Sequence, residues 1–154
     1  MMSLTRLGKP VDILLVEDNP GDADLARDAF ENSKMPCALH VAVDGEDATD
    51  FLFRRGKHAG APAPDLIMLD LNLPRKNGRE VLAEIKADPV LRRIPVLVLT
   101  ISCAEEDILN SYNLHANCYI TKPVDLHQFR RVIKAIEDFW LGVVVLPPKG
   151  AQDL

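Results

Sequence analysis

The segment Leu66–Pro74, with the sequence LIMLDLNLP, decides the fold of this chain. Four apolar residues run directly into Asp70, and a turn signal follows at once. Such a run is typical of a strand that is buried on both faces, the kind found in parallel sheets. A carboxylate buried there without partners would be unfavourable, so we expect Asp70 to lie where the strand emerges and to face other polar groups.

The composition indicates one folded domain and excludes several classes of protein. The chain has 154 residues, of which 47% are hydrophobic, enough for a full core. No apolar run approaches the roughly 20 residues of a membrane helix, and residues 1–10 lack the apolar core of a secretory signal. Because the net charge is −5 without a basic stripe, neither nucleic acid nor a membrane is an expected partner. The separated Cys37, Cys103 and Cys118 are typical of a reduced, cytoplasmic protein.

Apolar runs alternate with amphipathic patterns along the whole chain. The runs predict five strands, at Val11–Val16, Leu39–Val43, Leu66–Asp70, Pro95–Thr100 and Asn117–Ile120. Capping or turn residues predict the starts of five helices, at Asn19, Asp44, Asn77-Gly78, Ser102 and Asp125, the last helix reaching Trp140. This alternation predicts right-handed crossovers and an α/β fold, in which helices cover both faces of a parallel sheet.

Polar residues collect at the carboxyl ends of the predicted strands, where parallel sheets bind their ligands. Glu17 and Asp18 follow the first strand, Asp70 ends the third, and Thr100 and Lys122 stand at the ends of the fourth and fifth. Three carboxylates held close together raise one another's pKa, and a divalent cation would remove that penalty. Since the available donors are oxygens, a hard cation such as Mg²⁺ fits.

The same set of side chains predicts phosphoryl chemistry. Mg²⁺ bound by few carboxylates is usually completed by a phosphoryl group. The Lys122 ammonium supplies a positive charge for one phosphoryl oxygen, and the Thr100 hydroxyl can donate a hydrogen bond to another. Asp70 is the candidate nucleophile, because a carboxylate can form an aspartyl phosphate.

The combination of Glu17-Asp18, Asp70–Pro74, Thr100 and Lys122-Pro123 resembles the receiver domain of two-component response regulators. The resemblance covers about residues 11–141, preceded by an N-terminal extension (1–10) and followed by an apolar tail (142–154). It implies a doubly wound, flavodoxin-like (βα)5 fold whose five parallel strands follow the order 2-1-3-4-5.

The resemblance also implies a metal site at the matching positions. Asp70 resembles the phosphoacceptor. Asp18 and Asp70 would bind Mg²⁺ through their side chains, Asn72 through its backbone carbonyl, and Glu17 through a metal-bound water.

Further positions match the parts of a receiver that respond to phosphorylation. Thr100 and Lys122 would contact the phosphoryl oxygens, and Tyr119 stands where the family has its switch aromatic. The Lys122-Pro123 bond matches one that is cis in the family. Ile101 departs from the pattern, since most receivers have a small residue there, so the rates of phosphoryl acceptance and hydrolysis stay open.

A narrower resemblance concerns the partner. The segments Val16–Asp22, Asn117–Phe129 and Ile136–Trp140 are similar to single-domain regulators that partner cyanobacterial and bacterial phytochromes. This similarity implies a histidine kinase of the phytochrome type as phosphoryl donor, in the cytoplasm, and a signalling protein rather than an enzyme. Self-dephosphorylation stays open.

Two other functions are compatible with parts of this sequence. A hydrolase with an aspartyl intermediate would carry a second Asp two residues after the nucleophile, where this chain has Asn72. A binding module that works without phosphorylation would not need the complete acidic set, although Ile101 is compatible with it.

The C-terminal segment predicts a homodimer. It has apolar residues beyond those needed to cover the sheet, at Phe139, Trp140, Val143, Val145 and Leu146. An exposed apolar patch of this kind usually marks an interface, and a two-fold arrangement would bury both tails together with the helix predicted from Ser102, the fifth strand and the last helix. The alternative is a tail that folds back on its own domain.

Overall fold

The computed structural model describes residues 10–33, 36–100, 118–123 and 125–138, and for Thr100 and Cys118 it describes the backbone alone. Strands and helices alternate in the predicted order through these ranges. They are β1 Val11–Val16, α1 Pro20–Glu31, β2 Cys37–Ala42, α2 Gly45–Phe53, β3 Leu66–Asp70, α3 Gly78–Ala87, β4 Val96–Thr100, β5 Cys118–Thr121 and α4 Leu126–Ile136. The helix predicted from Ser102 lies outside the described residues.

The strands form one parallel sheet in the order β2-β1-β3-β4-β5. This order confirms the doubly wound fold, because the chain moves from β1 outward to β2, returns to β3 on the other side of β1, and then continues to β5. The position where the order reverses lies between β1 and β3. In parallel sheets of this kind the crevice at that reversal is the ordinary place for a ligand.

The core has two layers, one on each face of the sheet. Alternate residues of β1 and β3 point to opposite faces, so that Leu14 and Leu69 belong to one layer while Leu15 and Met68 belong to the other. Every residue of β3 is buried, which explains why its sequence has no polar alternation. Each fully buried Leu or Met contributes on the order of 1.5–3 kcal/mol to folding, so β3 anchors the carboxylate at its end in a rigid frame.

Side chains cap the described helices at the edge of the sheet where the strands end. Oxygens of Asn19, Asp44, Asn77 and Asp125 accept the backbone N–H three residues further on. At Asn77 the side chain of Glu80 returns the bond to complete a capping box. The Asn77-Gly78 pair, predicted as a turn, is therefore the start of α3.

Two further details differ from the prediction. Strand β2 begins at Cys37 instead of Leu39, because it pairs with β1 along its whole length. The segment between α2 and β3, where the sequence predicts no helix, contains a short 3-10 turn at Gly56–His58. Burial raises the pKa of the Cys37 thiol to about 11, in keeping with a reduced cysteine that packs as a small apolar residue. Among the described helices none is long and apolar enough to cross a membrane.

Candidate functional site

Three predicted carboxylates meet at the reversal of strand order. Val16 of β1 is paired with Leu69 of β3, so the next residues, Glu17 and Asp70, leave the sheet side by side. One carboxylate oxygen from each of Glu17, Asp18 and Asp70 lies within 4.8 Å of the others. Glu17 and Asp70 are buried, whereas Asp18 is exposed. The cluster therefore has a buried floor and an open side.

Lys122 crosses from the end of β5 to this cluster. Its Nζ lies 2.6 Å from Asp70 Oδ2 and 3.1 Å from Glu17 Oε1. The other oxygen of Asp70, Oδ1, accepts the backbone N–H of Asn72 at 3.0 Å. Both oxygens of Asp70 therefore have partners, and the two partners hold the carboxylate in one orientation.

Two opposing effects set the pKa values at the site: burial favours the neutral form of each group, and contact with opposite charges favours the charged form. Burial raises the pKa of the Glu17 carboxyl to about 7, and the negative charge of Asp70 adds to this, while the Asn19 N–H and the hydrogen bond from Lys122 act in the opposite direction. For Lys122, burial alone would lower the pKa, but hydrogen bonds to Asp70 and Glu17 and their charges outweigh burial and raise it above the usual value. Lys122 therefore stays positively charged.

The residues present fit a divalent cation. Glu17 Oε1 is buried and forms an ion pair with Lys122 at 3.1 Å but accepts no hydrogen bond, so it can still accept one from a metal-bound water. The donors of the cluster are all carboxylate oxygens, the ligands that hard divalent cations prefer. One ammonium cannot balance three carboxylates, so a cation at this position removes a real repulsion. Asn72 is exposed and lies two residues after Asp70, in the segment between β3 and α3.

Two glycines hold the segment after β3 in place: Gly78, which the sequence predicted as part of a turn, and Gly45, to which it assigned no role. A Cβ on Gly78 would lie 2.5 Å from the Asp70 carbonyl oxygen and 2.6 Å from Leu71 Cα. A Cβ on Gly45, at the start of α2, would overlap the carbonyl of Lys76. The turn that carries Asn72 is thus held between the first residues of α2 and α3. The Asn-Gly and Asp-Gly pairs in the sequence were the available signal.

One further carboxylate was missed. Asp22, in the first turn of α1, places Oδ2 3.3 Å from Lys122 Nζ. Nothing in the hydrophobic pattern distinguishes it from the other acidic residues on α1. Its sequence signals are its position two residues after Pro20 and its place at the end of Val16–Asp22, the segment similar to the phytochrome-partner regulators.

For the remaining predicted residues, the structure describes some only in part and leaves others outside the described ranges. Thr100 ends β4, and its backbone is paired with Thr121, but its side chain lies outside the described residues. Tyr119 is half-buried and packs against the core layer that contains Leu69. The Lys122-Pro123 bond is not cis, as the described residues contain no cis peptide bond, and Lys122 reaches Asp70 from a trans bond. The predicted interface residues lie outside the described ranges: Phe139, Trp140, Val143, Val145 and Leu146.

Comparison with known proteins identifies the family of this chain. Residues 13–134 match the family model of the response regulator receiver domain, and the chain belongs to that family. It is 49% identical to the response regulator Rcp1 of Synechocystis sp. over 138 residues, which is 90% of this chain and 94% of Rcp1.

Two solved structures show the same similarity in three dimensions. The phosphorylated cyanobacterial phytochrome response regulator RcpA is 52% identical and superimposes with a TM-score of 0.82, over 90% of this chain and 99% of RcpA. The Mn²⁺-bound form of Rcp1 is 48% identical with a TM-score of 0.80, over 90% of this chain and all of that structure (100%).

Proposed function

We propose that this protein is a single-domain response regulator that accepts a phosphoryl group on Asp70 from a histidine kinase in a two-component phosphorelay. The observation that carries the proposal is the setting of Asp70. It is a buried carboxylate held by the Lys122 ammonium at 2.6 Å and by the Asn72 N–H at 3.0 Å, next to two more carboxylates. A site of this composition suits phosphoryl transfer, which needs positioning and charge neutralisation more than covalent assistance.

The chain's own side chains account for the transfer step. Asp70 Oδ2 forms the new bond to phosphorus, while the bond between phosphorus and the donor breaks and the donor keeps its electron pair. The Asn72 N–H keeps Oδ1 in place, so that Oδ2 is the oxygen presented to the donor. Lys122 then shifts from Oδ2 to a phosphoryl oxygen, without crossing the site, since it already stands beside that atom.

Mg²⁺ is the metal we propose, bound by the side chains of Asp18 and Asp70, the Asn72 carbonyl and, through a water, Glu17. When bound, the ion neutralises the charge of the carboxylates and the incoming phosphoryl group. Support comes from the oxygen-only donor set and from Rcp1, whose solved structure contains Mn²⁺.

We propose that Thr100 and Tyr119 transmit the phosphorylated state. The Thr100 hydroxyl donates to a phosphoryl oxygen and moves inward, and Tyr119 turns into the space that it leaves. Tyr119 is half-buried, so a modest repacking is enough, and a few kcal/mol of differential interaction would shift the population. Thr100→Ala should still accept phosphate, but phosphorylation should no longer change the tyrosine fluorescence.

The partner we propose is a phytochrome-type histidine kinase, with signal output through protein–protein contact in the cytoplasm. The support is the similarity to RcpA, a phytochrome response regulator. The protein comprises an N-terminal extension (1–10), the receiver (11–141) and the tail (142–154). It forms a homodimer through residues at the end of the receiver and in the tail: Phe139, Trp140, Val143, Val145 and Leu146. Self-dephosphorylation would reset it.

The decisive test is incubation with acetyl phosphate and Mg²⁺, followed by intact-mass measurement. Wild-type protein should gain one phosphoryl group, Asp70→Asn should gain none, and EDTA should prevent the gain. An unmodified wild-type protein would instead indicate a binding module that works without phosphorylation. Labelling of Asp70→Asn at the wild-type rate would refute the assignment of Asp70.

A further inference from the structure

Lys122 has a third carboxylate partner outside the acidic cluster at the strand ends. Asp22 Oδ2 lies 3.3 Å from Lys122 Nζ, and Asp22 is half-buried in the first turn of α1. Its backbone N–H donates to the Asn19 cap at 3.0 Å. The cap therefore fixes where Asp22 stands, and the Asn19 backbone N–H in turn donates to Glu17 Oε2 at 3.2 Å.

The three carboxylates surround the ammonium from different depths. The side chains of Glu17 and Asp70 are 1% and 2% exposed, whereas that of Asp22 is 26% exposed. The ammonium donates hydrogen bonds to Asp70 Oδ2 at 2.6 Å and to Glu17 Oε2 at 3.3 Å, and its contact with Asp22 is an ion pair. Asp22 thus draws the ammonium away from the buried floor, toward the open side from which a phosphoryl donor must enter.

This placement bears on the reaction. Without Asp22, the ammonium would be held by Glu17 and Asp70 alone, and since it already lies 2.6 Å from Asp70 Oδ2 it could only turn toward the buried Glu17. Lys122 would then lie further from the incoming phosphoryl oxygens, and the transfer would slow.

We propose that Asp22 is a positioning residue that sets Lys122 for phosphoryl transfer, an inference that rests on the proposed function. It acts through Lys122 and does not itself contact the phosphoryl group. Asp22→Asn is a suitable variant, because it retains the backbone N–H that the Asn19 cap accepts and changes only the charge. Asp24→Asn is the matched control, since Asp24 is exposed on the same helix and the substitution makes the same charge change.

The rate of labelling by acetyl phosphate at saturating Mg²⁺ distinguishes a positioning role from a general electrostatic effect, because the two predict changes of the rate in opposite directions. Removing a negative charge near an anionic donor should raise the rate slightly, and Asp24→Asn should show this. Asp22→Asn should instead label about threefold more slowly than wild type, the scale of one partly exposed ion pair. Asp22→Glu, which keeps the charge on a longer side chain, should recover part of the rate.

A second measurement uses metal-free protein without any phosphodonor. The ¹⁵N signal of the Lys122 ammonium, assigned with Lys122→Arg, should shift and broaden in Asp22→Asn, because the ammonium loses its more exposed ion-pair partner and its protons exchange faster with water. Asp24→Asn should leave the signal in place.

The possible failures are distinguishable. A wild-type protein that is not labelled would overturn the proposed function and this inference with it. A labelled wild-type protein, together with Asp22→Asn labelling at or above the Asp24→Asn rate, would overturn the inference alone, as would an unchanged Lys122 signal.

Discussion

Replacement of Gly78 by Ala tests whether the start of α3 holds Asp70 in place. The added methyl would stand 2.5 Å from the Asp70 carbonyl oxygen and 2.6 Å from Leu71 Cα. Both atoms belong to the backbone, so neither can rotate away. Overpacking of this kind destabilises by about 1–3 kcal/mol, while Ala at a helix position regains up to about 1 kcal/mol over Gly. The overlap with backbone atoms places the cost near the upper end of the first range, so after the gain in helix propensity we expect Gly78→Ala to lower the free energy of unfolding by about 2 kcal/mol.

The same displacement should reduce phosphorylation. Relief of the overlap moves the Asp70 backbone, and with it the carboxylate that lies 2.6 Å from Lys122 Nζ. A misplacement approaching 1 Å in a site of this kind slows chemistry by up to about 10²-fold, so we expect labelling by acetyl phosphate to slow by about tenfold or more.

Urea denaturation and intact-mass labelling measure the two effects at a temperature where the variant is folded. Gly60→Ala is the matched control, because an added Cβ there meets no heavy atom within 4 Å; its free energy of unfolding should stay within about 0.5 kcal/mol of wild type. If Gly78→Ala matches Gly60→Ala in stability and labels at the wild-type rate, the close approach does not position Asp70.

Three further predictions concern protonation, the metal and assembly. In EDTA the free energy of unfolding should fall as pH rises from about 5 to 8, because burial raises the pKa of Glu17 to about 7 and the folded state then holds a proton that the unfolded state has lost. In urea titrations Glu17→Gln should remove this part of the pH dependence, and an identical pH dependence in both proteins would contradict the prediction. Asp18→Ala should weaken Mg²⁺ binding at least about tenfold, or about 1.4 kcal/mol, by calorimetric titration, whereas Asp24→Ala should change it little; equal affinities would exclude Asp18 as a ligand. Removal of residues 142–154 should convert a dimer to a monomer in sedimentation experiments at tens of micromolar, with or without phosphorylation; monomers of both full-length and truncated protein would contradict the dimer.

The amino-acid sequence by itself determined the elements and the edge of the sheet where the site lies. Apolar runs such as Leu66–Leu69 are strands because only burial on both faces suits them, and Asn19 and Asp44 start helices because their side chains satisfy backbone N–H groups locally. All parallel strands deliver their carboxyl ends to one edge, so the pattern alone brought Glu17, Asp70 and Lys122 to a common edge. The strand order came from resemblance to receivers, since periodicity carries no information about neighbours.

The tertiary structure alone decided which atoms meet. The pairing of Val16 with Leu69 sets Glu17 beside Asp70, and the packing of α1 against the strand ends brings Asp22 to Lys122, 100 residues away along the chain. The close approach of Gly45 to Lys76 likewise joins segments that are distant in sequence. Hydrophobic periodicity records which side of an element is buried, whereas these contacts depend on register and on the separation of packed elements. Those quantities exist only once the whole domain has folded.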